Sequence, residues 1–300
     1  MFSITLGHPI STLDNQILFP AGSILSPDNL DAIIYRSKPA SGQEFPLIRY
    51  GSIRDDVTIF MSEPPYNAIF CDEKETKNIF RLMERVNMHM PVLQSLDYFK
   101  TQDFYTYRHI LTVFATSALL SNILIADPVE KQNEVASGPV HDFGKICVPL
   151  HILRKSKPLT REEKNTLKHH VLAGYALVGY YFRNSSHILA EVARDHHERR
   201  DGSGYPRGIK LKDRIVEIIA VCDIYDALIS PRPYRPIAYD NRTAIEELTG
   251  MTEKGMFDRD IVHVLVALNR KVSGNHLKCK ISKEKRGVSP LQNNYGVLSD

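Results

Sequence analysis

The sequence predicts a mainly α-helical protein preceded by a small α/β unit at its N-terminus. Three observations predict it. Of 300 residues, 43% are hydrophobic and 24% charged, the balance of a folded chain long enough for two structural units. Up to about residue 65, short apolar segments alternate with turn residues, whereas beyond Pro64-Pro65 apolar residues recur at helical spacing. Capping residues stand where elements should begin, as at Ser26 and Thr160.

The composition also excludes some partners. A formal net charge of +3 provides no large basic field, so duplex nucleic acid is not an expected ligand, and an anion must be recognised by local residues. Cys71, Cys147, Cys222 and Cys279 are far apart and form no Cys-x-x-Cys pair, which predicts reduced thiols in a cytoplasmic protein. Residues 1–12 lack the pattern of a signal peptide, and no run of about 18 apolar residues predicts a membrane span. Twelve histidines are the unusual feature.

In chain order, residues 10–34 read as a hairpin turning at Asp14-Asn15, then a helix capped by Ser26 with Pro27 at its first position. Leu47 to Ser52 and Val57 to Met61 read as two short strands around Arg54-Asp55-Asp56. Residues 66–98 are expected to form a linker helix, with Ile79, Leu82, Met83, Val86 and Met90 on one stripe that suits packing at home or in a homodimer. A further helix begins after Asp103 and carries His109, which on its own is more simply a hydrogen-bonded core residue than a ligand. Residues 127–140, with Pro128, Gly138 and Pro139, are expected to be irregular and to make a loose approach to His141. Thr160 and Glu163 have capping-box spacing, opening a helix expected to carry His169-His170 and to end near Gly174. Further helices are expected at about 188–195 and at 214–229, the latter bearing Asp223 and Asp226 among apolar neighbours, where unpaired carboxylates are costly. Residues 273–300, with Lys278, Lys280, Lys283, Lys285 and Arg286, read as a solvated basic tail.

One stretch stands apart from packing logic. His196 and His197 are neighbours about 100° apart on a helix, so both cannot face one core, but both can converge on a metal at a helix end. Asp201 to Pro206 follows as an ordered turn with glycines at 202 and 204, presenting Tyr205. His141 and Asp142 add an imidazole, which binds one cation, beside a carboxylate, which can bridge two. With His109, His170, His196, His197 and Asp223 the chain offers five nitrogen and two carboxylate donors. That mixture favours iron or manganese, with zinc as an alternative, over magnesium or calcium. A pair of such metals suits hydrolysis of a phosphate ester.

The ordered series His141-Asp142-x-Gly144-Lys145, Pro149-x-x-Ile152-Leu153, Leu159-Thr160-x-Glu162-Glu163, His170-x-x-x-Gly174, His196-His197-Glu198, Asp201-Gly202-x-Gly204-Tyr205-Pro206, Asp223-x-x-Asp226-Ala227-Leu228 and Arg232-Pro233-Tyr234-Arg235 resembles the HD-GYP family of metal-dependent phosphohydrolases. The resemblance covers about residues 100–270. It implies a C-terminal helical HD-type bundle over residues 99–272; residues 1–65, which hold no titratable cluster of catalytic type, are read from their own short segments as a small α/β regulatory or interaction domain. The resemblance also implies hydrolysis of the second messenger cyclic di-GMP to pGpG or GMP. By the resemblance, His109, His141, Asp142 and Asp223 hold one metal ion, iron first, and His170, His196 and His197 hold a second that Asp142 bridges. His170 is preferred to His169 because it stands four residues before Gly174. Lys145 would serve the phosphate or the solvent, Arg232 and Arg235 would grip the substrate, and Glu198, Asp201, Gly204, Tyr205, Pro206 and Asp226 would support the ligands or order the loop. Some relatives carry a Glu for a third metal where this chain has Tyr105, so two metals are expected. The alternative is a weakly active cyclic di-GMP sensor or scaffold that meets diguanylate cyclases of the GGDEF type through the Gly-Tyr-Pro loop.

Overall fold

The computed structural model describes residues 2–37, 43–272, 274, 276–281, 284–291, 298 and 299. Among these the chain is mainly helical, as expected, with short strands confined to its first third. Strands β1 (Ile4–Thr5) and β4 (Ile24–Leu25) pair antiparallel, as do β2 (Ile10–Ser11) and β3 (Ile17–Phe19), whose turn passes through Asn15 at φ 63°. Ser26 caps α1 (Pro27–Arg36) by accepting the Asn29 amide, which satisfies one of the orphan donors of the first turn.

The next segment departs from the expected strands. Only Glu44–Pro46 is extended, as β5; Leu47–Arg49 is a 3-10 turn and Ile53–Ser62 is helix α2. Ile53, Val57, Phe60 and Met61 are buried, a spacing of four, three and one that is helical, and Asp55 and Asp56 occupy the favourable acidic first turn. The expected linker helix is also broken. Helix α3 (Glu73–Met83) ends before strand β6 (Asn87–His89), which pairs with β5, and α4 (Met90–Gln102) starts afresh. Met88 is thus buried within a strand and Val86 just ahead of it, and the segment before α4 is stitched back to residues 44–46.

Helix α5 (Phe104–Leu124) is buried on nearly every side and forms the axis of the bundle. Around it lie α6 (Pro128–Ser137), α9 (His170–Tyr181), α10 (Ile188–Asp195), α11 (Arg214–Ile229), α12 (Asn241–Glu253) and α13 (Arg259–Asn269), with the short α7 (Leu150–Leu153) and α8 (Arg161–Lys168) ahead of α9. The capping box at Thr160 and Glu163 forms, but the helix stops at His169 and α9 begins anew, running past Gly174 to Tyr181. Residues 128–137 are helical rather than irregular because Asp127 caps them with Pro128 at the first position. The approach to His141 is tight, not loose. Gly138, Pro139 and Val140 form a buried 3-10 turn, and a Cβ on Gly138 would stand 2.8 Å from Phe114 Cα.

One apolar cluster runs without interruption from Leu6 and Leu30 to Val266, so the N-terminal unit shares its core with the helical bundle. Leu30 fits against Gly179, and Phe2 packs edge-on to Tyr175 at 5.1 Å between ring centres. The basic tail is only partly a solvated extension: the amides of Arg286 and Gly287 donate to Glu246, and the Ser299 amide donates to Leu159 O. Lys283 lies outside the described residues. No helix among the described residues is long and apolar enough to cross a membrane.

Glu134, on α6, is fully buried, and among the described residues its carboxylate has no ion-pair partner, though the Ser121 hydroxyl favours its charged form. Burial pushes its carboxyl well above the ordinary range. As pH rises through about 4.3 the unfolded chain loses this proton while the folded chain keeps it, so folding stability falls by about 1.4 kcal/mol per pH unit until the folded group ionises. Glu134→Gln should therefore raise Tm more at pH 8 than at pH 5; an equal change at both values would contradict a neutral buried carboxyl.

Candidate metal centre

Five segments deliver the predicted donors to one buried point. His109 comes from the second turn of α5, His141 and Asp142 from the turn after Gly138, His170 from the first residue of α9, His196 and His197 from the end of α10, and Asp223 from α11. The close packing that permits this is made by glycine. A Cβ on Gly144 would stand 2.0 Å from His170 O and 2.3 Å from Gly174 N, while Gly174 itself lies against Ala193. The backbones of three ligand-bearing segments thereby stack with almost nothing between them, which accounts physically for a glycine four residues after His170.

The donors form two groups, His109, His141 and Asp223 in one, His170, His196 and His197 in the other, each with ligand atoms within 4.8 Å of one another. Asp142 lies between them. Its Oδ2 is 3.2 Å from His109 Nε2 and 3.4 Å from His141 Nε2, and its Oδ1 is 3.4 Å from His170 Nε2 and 4.0 Å from His196 Nε2. Asp223 also spans the groups, with Oδ1 3.1 Å from His109 Nε2 and Oδ2 3.8 Å from His197 Nδ1. The second carboxylate contact was not legible in the sequence.

Hydrogen bonds behind the rings fix their tautomers. Nδ1 of His141 donates to Gly138 O at 2.7 Å, that of His170 to Leu167 O at 2.7 Å, and that of His196 to Ala193 O at 3.1 Å. A carbonyl only accepts, so the proton sits on Nδ1 and the Nε2 lone pair faces inward. The Nε2 atoms of His170 and His196 then face each other at 3.4 Å as two lone pairs. Burial pushes His170 down to about 4 and His196 down to about 3, and holds His197 well below its usual range, so all three are neutral near pH 7. Converging neutral imidazoles without a proton between them fit a cation.

The first group differs in charge. Burial and Arg232 oppose the charged form of His109, but Asp226, Asp142 and Asp223 prevail and raise it to about 10. Burial alone would raise Asp142, yet Lys145 and His141 hold it well below the usual carboxylate range, and Asp223 is likewise held low against its burial by His109 and His197. Lys145 Nζ is 2.6 Å from Asp142 Oδ2.

The supporting residues sort clearly. Asp226 accepts from His109 Nδ1 at 2.6 Å, and further donors come from Thr112, Ser230 and Tyr66, none of which the sequence singled out. Thr112 lies one turn after His109 and was findable by that spacing; Tyr66, 43 positions earlier than His109, carried no local signal. Glu198 is buried and accepts the amides of Arg207, Gly208 and Ile209, which orders the loop, and Asp201 accepts from Ser203. Gly204 is required by close approach, since its Cβ would stand 2.4 Å from His197 O. Tyr205, followed by Pro206, stacks on His197 at 4.6 Å, with Lys168 Nζ 4.5 Å from the centre of its ring. His169 turns away from the centre toward Pro9 O.

Two expected substrate ligands are placed otherwise. Arg232 is 8% exposed and pairs with Asp226 at 2.7 Å, so its guanidinium supports His109 from behind. Arg235 is 2% exposed and donates to Leu228 O and Ser230 O, capping the end of α11. The carboxylate and the carbonyls thus take the Nη2 of each buried guanidinium.

The sequence model of the family described as "HD domain" matches residues 95–261, more than half of the chain. The chain belongs to the HD-domain family. Within it, the ordered motifs from His141 to Arg235 are those of the HD-GYP branch. This HD-domain chain is 32% identical over 221 residues to a cyclic di-GMP phosphodiesterase of Thermotoga maritima, covering 72% of this chain and 55% of that protein. It is 36% identical over 182 residues to the cyclic di-GMP phosphodiesterase PA4108 of Pseudomonas aeruginosa, covering 59% and 42%. It is also 34% identical over 133 residues to 3′3′-cGAMP-specific phosphodiesterase 2 of Vibrio cholerae, covering 43% and 25%. The chain spans about half the length of the first two of these relatives.

Asp142→Ala removes the carboxylate placed between His109, His141, His170 and His196 and should abolish uptake of two metal ions per chain, as should His141→Ala; elemental analysis after manganese or iron loading measures this. Gly144→Ala should reduce uptake as well, by forcing α9 away, although it alters no donor.

Proposed function

We propose that this chain is a metal-dependent phosphodiesterase that hydrolyses cyclic di-GMP to pGpG or GMP. The observation that carries the reading is the Asp142 carboxylate set between two groups of converging imidazole nitrogens. In this reading His109, His141 and Asp223 hold one cation, His170, His196 and His197 hold a second, and Asp142 is shared. Iron suits the mixed nitrogen and carboxylate donors first, with manganese or zinc as alternatives. Bound there, the metals supply Lewis acidity that activates water and offsets charge on the phosphodiester.

The remaining work falls to side chains already described. Lys145 neutralises Asp142 and, being partly accessible, can donate a hydrogen bond to a phosphate oxygen or to the departing 3′ oxygen. The Tyr205 ring fixes the plane of His197, and Lys168 brings a second ammonium to the same rim, where an anionic substrate would be drawn in. Glu198 keeps the loop backbone in place by holding three amides. The buried 3-10 turn before His141 gives no support to a binding-only module, because the ligand pair rests on a well-packed segment.

A second reading, a mixed cyclic dinucleotide as substrate, draws on the likeness to the Vibrio cholerae protein. One assay separates the two. Metal-loaded chain, kept reduced and anaerobic, should convert cyclic di-GMP to pGpG or GMP at least tenfold faster than it converts 3′3′-cGAMP. The reverse ratio would move the substrate assignment to the mixed dinucleotide, and turnover of neither by protein carrying its full metal complement would overturn the enzymatic reading.

A further inference from the structure

We infer that Tyr66 is a positioning residue for the metal centre, acting through Asp226 on His109. The inference rests on the proposed role of His109 as a metal ligand and is independent of which dinucleotide is cleaved. Tyr66 opens the 3-10 turn Tyr66–Ala68, outside the 95–261 span of the HD domain, yet its side chain is fully buried and its hydroxyl donates to Asp226 Oδ1. The other carboxylate oxygen of Asp226 accepts from His109 Nδ1 at 2.6 Å and from Arg232 at 2.7 Å. The path from the Tyr66 hydroxyl to the inward-facing Nε2 of His109 is therefore one carboxylate and one imidazole ring long.

The local geometry makes Tyr66 a fixed point rather than an opportunistic contact. The Pro65 carbonyl before it accepts from Asn241 Nδ2 at 2.9 Å, which ties the turn to the start of α12. The Arg108 guanidinium lies 5.6 Å from the centre of the Tyr66 ring, and Ser230 Oγ is 2.5 Å from its hydroxyl. Oδ1 of Asp226 also accepts from Thr112 at 2.5 Å and from Ser230 at 3.2 Å. Loss of one donor leaves the carboxylate hydrogen-bonded, so the fold should survive, but the direction in which Asp226 presents Oδ2 to His109 changes. Partners behind a metal-binding histidine typically alter affinity about 10-fold to 100-fold when removed. Tyr66 stands one step farther back, which sets the expectation at the lower end.

A core tyrosine whose hydroxyl merely finds an acceptor is the competing explanation, and Tyr107 provides the matched control. It is also buried, and its hydroxyl donates to Asp56 at 2.6 Å, away from Asp226. Full-length Tyr66→Phe, Tyr107→Phe and unaltered chain are stripped of metal and titrated with manganese, with free ion followed by electron paramagnetic resonance. Tyr66→Phe should weaken one of the two manganese sites about tenfold and leave the other unchanged, and Tyr107→Phe should change neither. In an Asp226→Asn background, adding Tyr66→Phe should produce no further loss. Equal affinities in the Tyr66 and Tyr107 variants, or an undiminished Tyr66 effect in that background, would overturn the inference. If Tyr66→Phe does not fold, Thr112→Val, which removes a donor to the same oxygen, must reproduce the single-site loss. Two undiminished manganese sites in His141→Ala would instead refute the ligand assignment itself, and so separate failure of the site from failure of this inference.

Discussion

Everything at the metal centre depends on how closely the backbone after Asp142 approaches the start of α9. With a side chain at residue 144 the two segments would overlap, and His170 would be carried away from the Asp142 oxygen it now faces at 3.4 Å. Close backbone packing also explains how so many polar groups are buried together. Five imidazoles and two carboxylates are costly to dehydrate, and the structure answers with neutral rings on one side and compensating cations, Lys145 and Arg232, beside the carboxylates.

Much of this was written locally in the sequence. Ser26, Thr160 and Glu163 announced helix starts through side chains that satisfy nearby amides, and the converging donors were readable because their types, not their surroundings, carry the chemistry. Helix 188–195 was legible from its amphipathic spacing, and helix 214–229 from an apolar run too long for a strand. What escaped was tertiary. The segment around Val57 looked extended because short apolar runs fit both periods, and only burial of Ile53 with Phe60 resolves them. Val86 and Met90 mimicked a helical stripe while flanking a strand, Asn87–His89, whose partner is some 40 residues earlier.

The arginines teach a related point. Arg232 and Arg235 have the chemistry of anion ligands, and a sequence pattern cannot tell an external phosphate from an internal acceptor. The fold supplies the internal ones, Asp226 in one case and the open carbonyls of a helix end in the other. Glu134 presents the converse problem, because nothing around position 134 in the sequence marks it as facing a buried interior. Such a residue is visible only once α6 is known to be a helix and its inner face is fixed.

The pairing of β5 with β6 has a mechanical consequence. It joins residues 44–46 to residues 87–89, so the chain leading into α4 is held at both ends, and the apolar core beneath continues into the bundle without a seam. Among the described residues, the first strands and the helical bundle share one core. A displacement of the first strands is therefore passed through close-packed side chains toward the bundle.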